Sequence, residues 1–508
     1  MNHRTRFAFG AGGIPETLKN SVWDMFILFY FTQVLELPGS LAGVAIAIAL
    51  TVNALVDPSI GSYSDAMPVT RLGRRQMLMA IAAVPFCVSF TLLFWAPESF
   101  GKVATFVWLV SFSVIARVSI SLFTIPYYAL GVELSRNRYE RPILTAFRSV
   151  GTSLGRMVMP IVAFTFFFAA SPQYTNGQLN RAAYPRFALA ISLVSLVLMV
   201  WCIWGTNARS KEIERRVART GQVRRMPSLM VTFRQIAHAF RSTRNVRWQV
   251  LLGVFMFISL GVLNVYTLHL CTYYWRLSPD EIRNVSAALP PGGLLAALLA
   301  RFYVPYFEKK RLMLFCIVAY GLVVLVPIGG PLTPFFPQPG TPLQAPLLMG
   351  FKFLAGVFYG AFLTTSATVA GDVADELELN SGEPRQALLS SFTFFTMFAA
   401  SAVVNIAAGV FLDLIDFPIG LPVAQVSTLT SDKLAIFSCI VIAFAVSGVT
   451  YVVGRMDISA EKQRLINAQL EERYAQAAID QSAIPVSGPV AVPDSPAPAG
   501  SASAPASA

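Results

Sequence analysis

The sequence predicts an all-α integral membrane protein, with twelve transmembrane helices arranged as two six-helix bundles. Three observations predict it. The 508 residues are 55% hydrophobic and only 13% charged, whereas a soluble chain carries about a quarter charged residues. The apolar residues come in about twelve long blocks rather than in amphipathic stripes, and ~20 such residues cross a bilayer. Lysine and arginine gather in alternate loops, the distribution that marks a cytoplasmic face.

Taken in order, the expected spans are 17–37, 41–63, 76–96, 104–130, 144–169 and 187–205, then 248–273, 285–305, 312–330, 346–370, 387–413 and 433–453. The first is the least apolar, because Glu16, Lys19, Asn20 and Asp24 crowd its start. No signal-peptide pattern precedes it; Gly10-Ala11-Gly12-Gly13 leads directly into a full span. The chain therefore divides into a first bundle (1–205), a basic cytoplasmic linker (206–247), a second bundle (248–455), a polar cytoplasmic helix (456–483) and an Ala/Pro/Ser tail (484–508). The tail has too little apolar surface to fold and is expected to be disordered. Six spans on either side of a long linker suggest two bundles related by an axis along the membrane normal. A short repeat agrees with this, since the acidic-polar-arginine stretch 133–141 follows span four and 378–385 follows span ten.

The net charge of +12 lies mostly in the linker, from Arg209 to Arg247, and in short loops at Arg71, Arg74, Arg75, Arg136, Arg138, Arg141, Lys309, Lys310 and Arg311. The opposite loops, 32–40 and 329–346, are poor in basic residues. This places both termini in the cytoplasm and reads the arginines as topology signal and lipid-headgroup contact, not as a nucleic-acid surface. Cys87, Cys202, Cys271, Cys316 and Cys439 lie in apolar spans at unrelated spacings, which fits neither disulfides nor zinc. No phosphate loop, nucleophile motif or metal-ligand cluster is present, so no enzyme activity, metal or cofactor is expected. The partners expected are a small solute and membrane lipid, with the chain acting as a monomer.

Asp57 stands out within Asn53-Ala54-Leu55-Val56-Asp57-Pro58, because an acid inside a spanning run usually marks an ion or substrate pathway. Asn53 lies one turn earlier, on the same helix face. Three uses are open: Asp57 takes a proton, or binds Na⁺ with Asn53 as a neutral oxygen ligand, or pairs with a buried arginine such as Arg148. Arg117, Ser121, Thr124 and Tyr128 form a polar stripe in span four, and Asp24 is a second acid within a span. With Arg148 and Phe398 they are the candidate substrate contacts. His269 and the phenylalanine stripe from Phe392 to Phe398 read as packing. Asp65, Arg71, Arg74, Arg75, Glu133 and Arg141 in the first half, with Asp372, Asp375 and Glu378 in the second, lie at cytoplasmic ends of spans. Charges there can form salt bridges that open and close one mouth of a pathway.

These residues resemble the glycoside–pentoside–hexuronide:cation symporter family, the melibiose permease-like branch of the major facilitator superfamily. The resemblance spans roughly residues 7–455. It is carried by Phe9-Gly10-Ala11-Gly12, the run 29–35, Asp57-Pro58 with Gly61, Asp65 and Gly73-Arg74-Arg75, the run 125–134 with Arg141 and Arg148, Thr272-Tyr273-Tyr274-Trp275, and the run 372–378. It implies the major facilitator fold, alternating access, and uptake of a sugar or glycoside coupled to Na⁺ or H⁺ across a bacterial inner membrane. It also implies that Asp57 is the cation-site acid and that Arg148 lies near the sugar. Asn53 stands where the family often has a second acid, which shifts the expected coupling ion toward H⁺. Thr124 replaces a sugar-binding acid, and Phe398 falls where many members have a lysine. Both departures suit an alternative cargo, an amphiphile such as a lysolipid or an aromatic acid. A non-transporting receptor on the same fold is the reading of a different class.

Overall fold

The computed structural model describes residues 2–67, 70, 72–134, 140–218, 240, 243–334, 336–381, 386–421 and 423–483. Arg71 lies outside them, and the side chains of Asp65, Arg141 and residues 381–395 are not described. All regular elements among the described residues are helices, with no strand. They form α1 (His3–Ala11), α2 (Ile14–Val22), α3 (Gly39–Ala66), α4 (Arg74–Leu93), α5 (Lys102–Leu134), α6 (Glu140–Val162) and α7 (Ala183–Ala218). After the linker come α8 (Arg244–His269), α9 (Pro279–Ala287), α10 (Leu289–Tyr303), α11 (Lys309–Gly329), α12 (Gln344–Ser381), α13 (Gln386–Leu414) and α14 (Thr428–Arg455). A separate compact unit follows, whose helix α15 spans Ala460–Ala483.

Eleven helical segments among the described residues are long and apolar enough to cross a membrane. The first expected span is not among the eleven. It is helical, but α2 passes into a π-helical turn at Trp23–Ile27 and another at Tyr30–Val34. Lys19, Asn20 and Asp24 dilute its hydropathy, and local widening of this kind is frequent at functional sites. The expected spans otherwise fall within a few residues of the helices. The largest overruns are α7 and α12, which continue well past their apolar runs. Thus α7 carries the backbone into the expected linker, where Arg209 pairs with Glu212 three residues on at 2.7 Å.

Outer faces are apolar and exposed, as lipid requires: Val197, Leu298, Leu322 and Phe444 all point outward. Inside the first bundle an aromatic cluster closes the end opposite the basic loops, with Phe26, Phe164, Phe168, Tyr184 and Tyr30 in ring contact. Span eight begins with a capping box. Ser278 Oγ accepts from the Glu281 amide, and Glu281 accepts from the Ser278 amide at 2.8 Å.

The bundles are joined at the end opposite the basic loops. There α3 crosses α13 so closely that a side chain on Gly39 or Gly43 would meet the carbonyl of Gly409 or Asn405 at 2.4 or 2.3 Å. Only glycine permits that approach. Asp413, in the last turn of α13, accepts from the amides of Gly39 and Ser40 at 2.7 and 2.8 Å. An acid is misplaced at the C-terminus of its own helix and well placed at the N-terminus of another. Asp413 therefore caps α3 from across the seam. Gln178 to Thr272 at 3.0 Å, Tyr273 to Gln33 at 3.0 Å, and Thr32 with His269 at 3.4 Å extend the same seam.

Candidate functional site

Proline decides the local geometry around Asp57. Pro58 lies inside α3 and has no N–H, so the Ala54 carbonyl one turn earlier loses its helical donor. Asn53 Nδ2 donates to Asp57 Oδ2 at 3.0 Å, and Ser121 Oγ of α5 donates to Asn53 Oδ1 at 3.1 Å. Asp57 Oδ1 is buried and makes no hydrogen bond. Asn53 thus uses its amide hydrogen on the acid and its oxygen on Ser121. In this arrangement it is a donor to Asp57, not the neutral oxygen ligand considered from the sequence. Nor is Asp57 half of a static ion pair: among the described residues no basic group bridges it.

The α5 stripe is the hub of the site. Arg117, buried, lies over the Trp23 ring at 4.3 Å. Thr124 is buried one turn beyond Ser121. Tyr128 donates to Glu16, and Arg148 of α6 lies over the Tyr128 ring at 4.9 Å. Arg148 is therefore brought to Tyr128 rather than to Asp57. Lys19 is buried beside Trp23, 6.0 Å from its ring centroid. Lys19 and Arg117 each stand within electrostatic reach of both Asp24 and Asp57.

Asp24 is deep in the molecule yet open to the cleft between the bundles, where Asn264 of α8 donates to it at 3.2 Å. Arg156 of α6 is exposed and stands within electrostatic reach of Asp24 and of Tyr359 on α12. Phe398 is half-buried on α13 and packs against the core.

The charges at the basic end tie helices within each bundle. Glu133 of α5 accepts from Arg74 at 3.1 Å and from Arg75 at 2.6 Å, both on α4. Asp372 of α12 pairs with Lys309 of α11 at 2.6 Å. These three described pairs do not cross between bundles, whereas a cytoplasmic gate was the expectation for them. The described gate-like contacts are those of Asp413 at the other end. Because Arg75 is buried and Glu133 is only 27% exposed, Glu133→Gln is expected to destabilise the purified protein by about 1–3 kcal/mol. A thermal-inactivation curve overlying that of the parent protein would contradict a structural role for this pair.

Sequence reasoning missed Glu16, Lys19, Trp23, Arg156 and Asp413 as parts of these arrangements. The signals were present. Glu16 and Lys19 stand three residues apart in a run that must enter the membrane, and Asp413 violates the dipole preference of its own helix.

A family model described as MFS/sugar transport protein matches residues 8–459. An uncharacterized symporter of Synechocystis is 26% identical over 42% of this chain and 39% of its own length. An uncharacterized symporter of Bacillus subtilis, YjmB, is 20% identical over 88% of this chain and 91% of its own. The mouse sphingosine-1-phosphate transporter MFSD2B is 22% identical over 79% of each chain. The chicken sodium-dependent lysophosphatidylcholine symporter 1 is 29% identical over 30% of each chain. Among solved structures, that of the nucleoside transporter NupG superposes with a TM-score of 0.59 at 14% identity, covering 88% of this chain and 99% of that one. At that identity the likeness establishes the fold.

Proposed function

The chain belongs to the MFS/sugar transport protein family, and from that premise we propose that it moves a sugar or glycoside-like solute together with a proton by alternating access. It is a multi-pass membrane transporter of the symporter type, not an enzyme. The observation that carries proton coupling is the Asp57 carboxylate, with one oxygen held by Asn53 and the other buried without a partner. A single available carboxylate oxygen suits a proton. A hard metal cation takes several oxygen ligands, and Asn53 turns its donor, not its oxygen, toward the acid. In this reading Asp57 carries the proton, and Lys19 and Arg117 respond to its change of charge. The basic loops face the cytoplasm of a bacterial inner membrane, and the joined seam at Asp413 closes the outer side.

Purified protein in liposomes tests this with a solute panel and separately imposed pH and Na⁺ gradients. Saturable accumulation is expected under the pH gradient and not under the Na⁺ gradient. Accumulation driven by Na⁺ alone would sink proton coupling. No movement of any solute under either gradient would favour a receptor on a transporter fold.

A second cargo is favoured by specific observations. MFSD2B and the chicken symporter, by name, handle single-chain amphiphiles, and here neutral Thr124 is buried on the α5 stripe and apolar Phe398 is half-buried on α13. An amphiphilic solute on the same coupling scheme is that reading. Robust uptake of a simple neutral glycoside would exclude it.

A further inference from the structure

We propose that the lipid-facing groove between α8 and α14 holds an anionic phospholipid, with Arg244 and Arg455 on its phosphate and aromatic rings along its acyl chains. The site lies on the outer wall of the second bundle. It needs only that the chain spans a membrane, and it stands whatever the cargo.

Each wall of the groove is one stripe of a helix. Arg244, Trp248 and Phe255 share a face of α8, and Phe444, Gly448, Tyr451 and Arg455 share a face of α14. The two stripes meet edge to face, with the Trp248 and Tyr451 rings 6.2 Å apart and those of Phe255 and Phe444 5.7 Å apart. Gly448 admits this fit, because a side chain there would meet the Phe255 ring at 2.4 Å. Tyr451 and Phe444 are 57% and 62% exposed, so the groove opens to the bilayer. Since α8 starts at the basic end and α14 returns to it, Arg244 and Arg455 each stand one turn beyond the paired Trp248 and Tyr451 rings. Both arginines are exposed, and the Arg455 guanidinium lies over the Tyr451 ring at 5.3 Å.

These two positive charges have no acid to answer them. The sequence holds none from Arg215 to Pro279 and none from Lys433 to Met456. Neither arginine forms an ion pair among the described residues. Asp457 lies past the end of α14, where Met456 is extended and Asn245 holds the Asp457 backbone at 3.2 and 2.9 Å. Packed helix axes lie ~8–10 Å apart, so like charges on them repel across about one Debye length. A single phosphate relieves both, because each guanidinium fork matches its oxygens. Basic recesses between spanning helices dock anionic headgroups for this reason. Free phosphate would leave the deeper Phe255 and Phe444 rings uncovered, whereas the acyl chains of a phospholipid lie along them. A zwitterionic headgroup would bring its own ammonium against the arginines, so the charge of the lipid is selected.

Competition between two lipids tests this without requiring transport. The full chain, purified in detergent, would receive equal amounts of phosphatidylglycerol and phosphatidylcholine with the same acyl chains, and native mass spectrometry would count the lipid retained. Phosphatidylglycerol is expected to be retained about tenfold or more over phosphatidylcholine, the scale of two basic side chains at an anionic headgroup. Arg244→Gln combined with Arg455→Gln is expected to bring the ratio close to one. Arg455→Gln alone, a change at an exposed position that the fold tolerates, is expected to lower it about threefold or more. Arg4→Gln combined with Arg301→Gln removes the same charge from exposed positions on α1 and α10, outside the groove, and should leave the ratio unchanged. A wild-type ratio near one, a ratio unmoved by the groove variants, or an equal fall in the Arg4 and Arg301 control would overturn the proposal.

Discussion

Replacing Asp57 by asparagine is expected to leave the solute equilibrating across a liposome membrane without accumulating. Asparagine keeps the size of the side chain and a hydrogen bond with Asn53, but it cannot carry the proton. The magnitude follows from the driving force. Each unit of pH difference is worth 1.36 kcal/mol per proton, or tenfold. A two-unit gradient therefore supports about a 100-fold concentration ratio for one proton per solute in the parent protein, and a ratio near one in the variant. Solute exchange at equal pH should continue in both, because alternating access itself does not need the proton. Accumulation by Asp57→Asn at the parent level would remove Asp57 from the coupling step and leave Asp24 and Glu16 as the remaining acids of the site.

The second large effect concerns the seam. Asp413 makes two charge-assisted bonds to the N-terminus of α3 across the bundles, and these must break when that end opens. Asp413→Ala removes both. After allowing for water that replaces them, the closed seam is expected to lose about 2 kcal/mol, roughly a 30-fold shift toward the state open at that end. Gly409→Val should act the same way by steric means, since its first side-chain atom would lie 2.0 Å from the Gly39 carbonyl. Gln33, 3% exposed at the same seam, provides the reporter. With the five native cysteines replaced and Gln33→Cys introduced, alkylation by a membrane-impermeant thiol reagent should accelerate in both variants. Unchanged labelling would mean that the seam is held by packing without Asp413.

Much of the architecture was legible in the chain because lipid enforces it. A helix in hydrocarbon must satisfy its own backbone and cover itself with apolar side chains, so spans appear as blocks whatever they pack against. The first span departs from that rule. Lys19, Asn20 and Asp24 belong to a segment buried by protein and open to a cleft, where polarity is tolerated. Asp57 was legible for the converse reason, an acid where lipid-facing sequence would have none. Its partners were less so. That Asn53 donates to Asp57 depends on Ser121 of α5 taking its oxygen, and residues 68 positions apart meet only in the folded chain. Asp413 could be seen as an oddity of α13, but not as a cap on α3, because that needs the crossing of two helices from different bundles.

By itself, then, the sequence determined the class of the protein, the positions of its spans, the basic end and the acid at the Asp-Pro step. Each follows from local chemistry: the hydropathy of a block, the sign of a loop, the cost of one carboxylate in hydrocarbon. The tertiary structure decided that Asn53 turns its donor to Asp57, that Asn264 meets Asp24 across the bundles, and that Glu133 ties α4 to α5 rather than bundle to bundle. It also decided that the bundles are joined at Asp413. Those are properties of pairs distant in the chain, and pairing is set by how glycine faces, aromatic rings and helix ends fit together after the spans have formed.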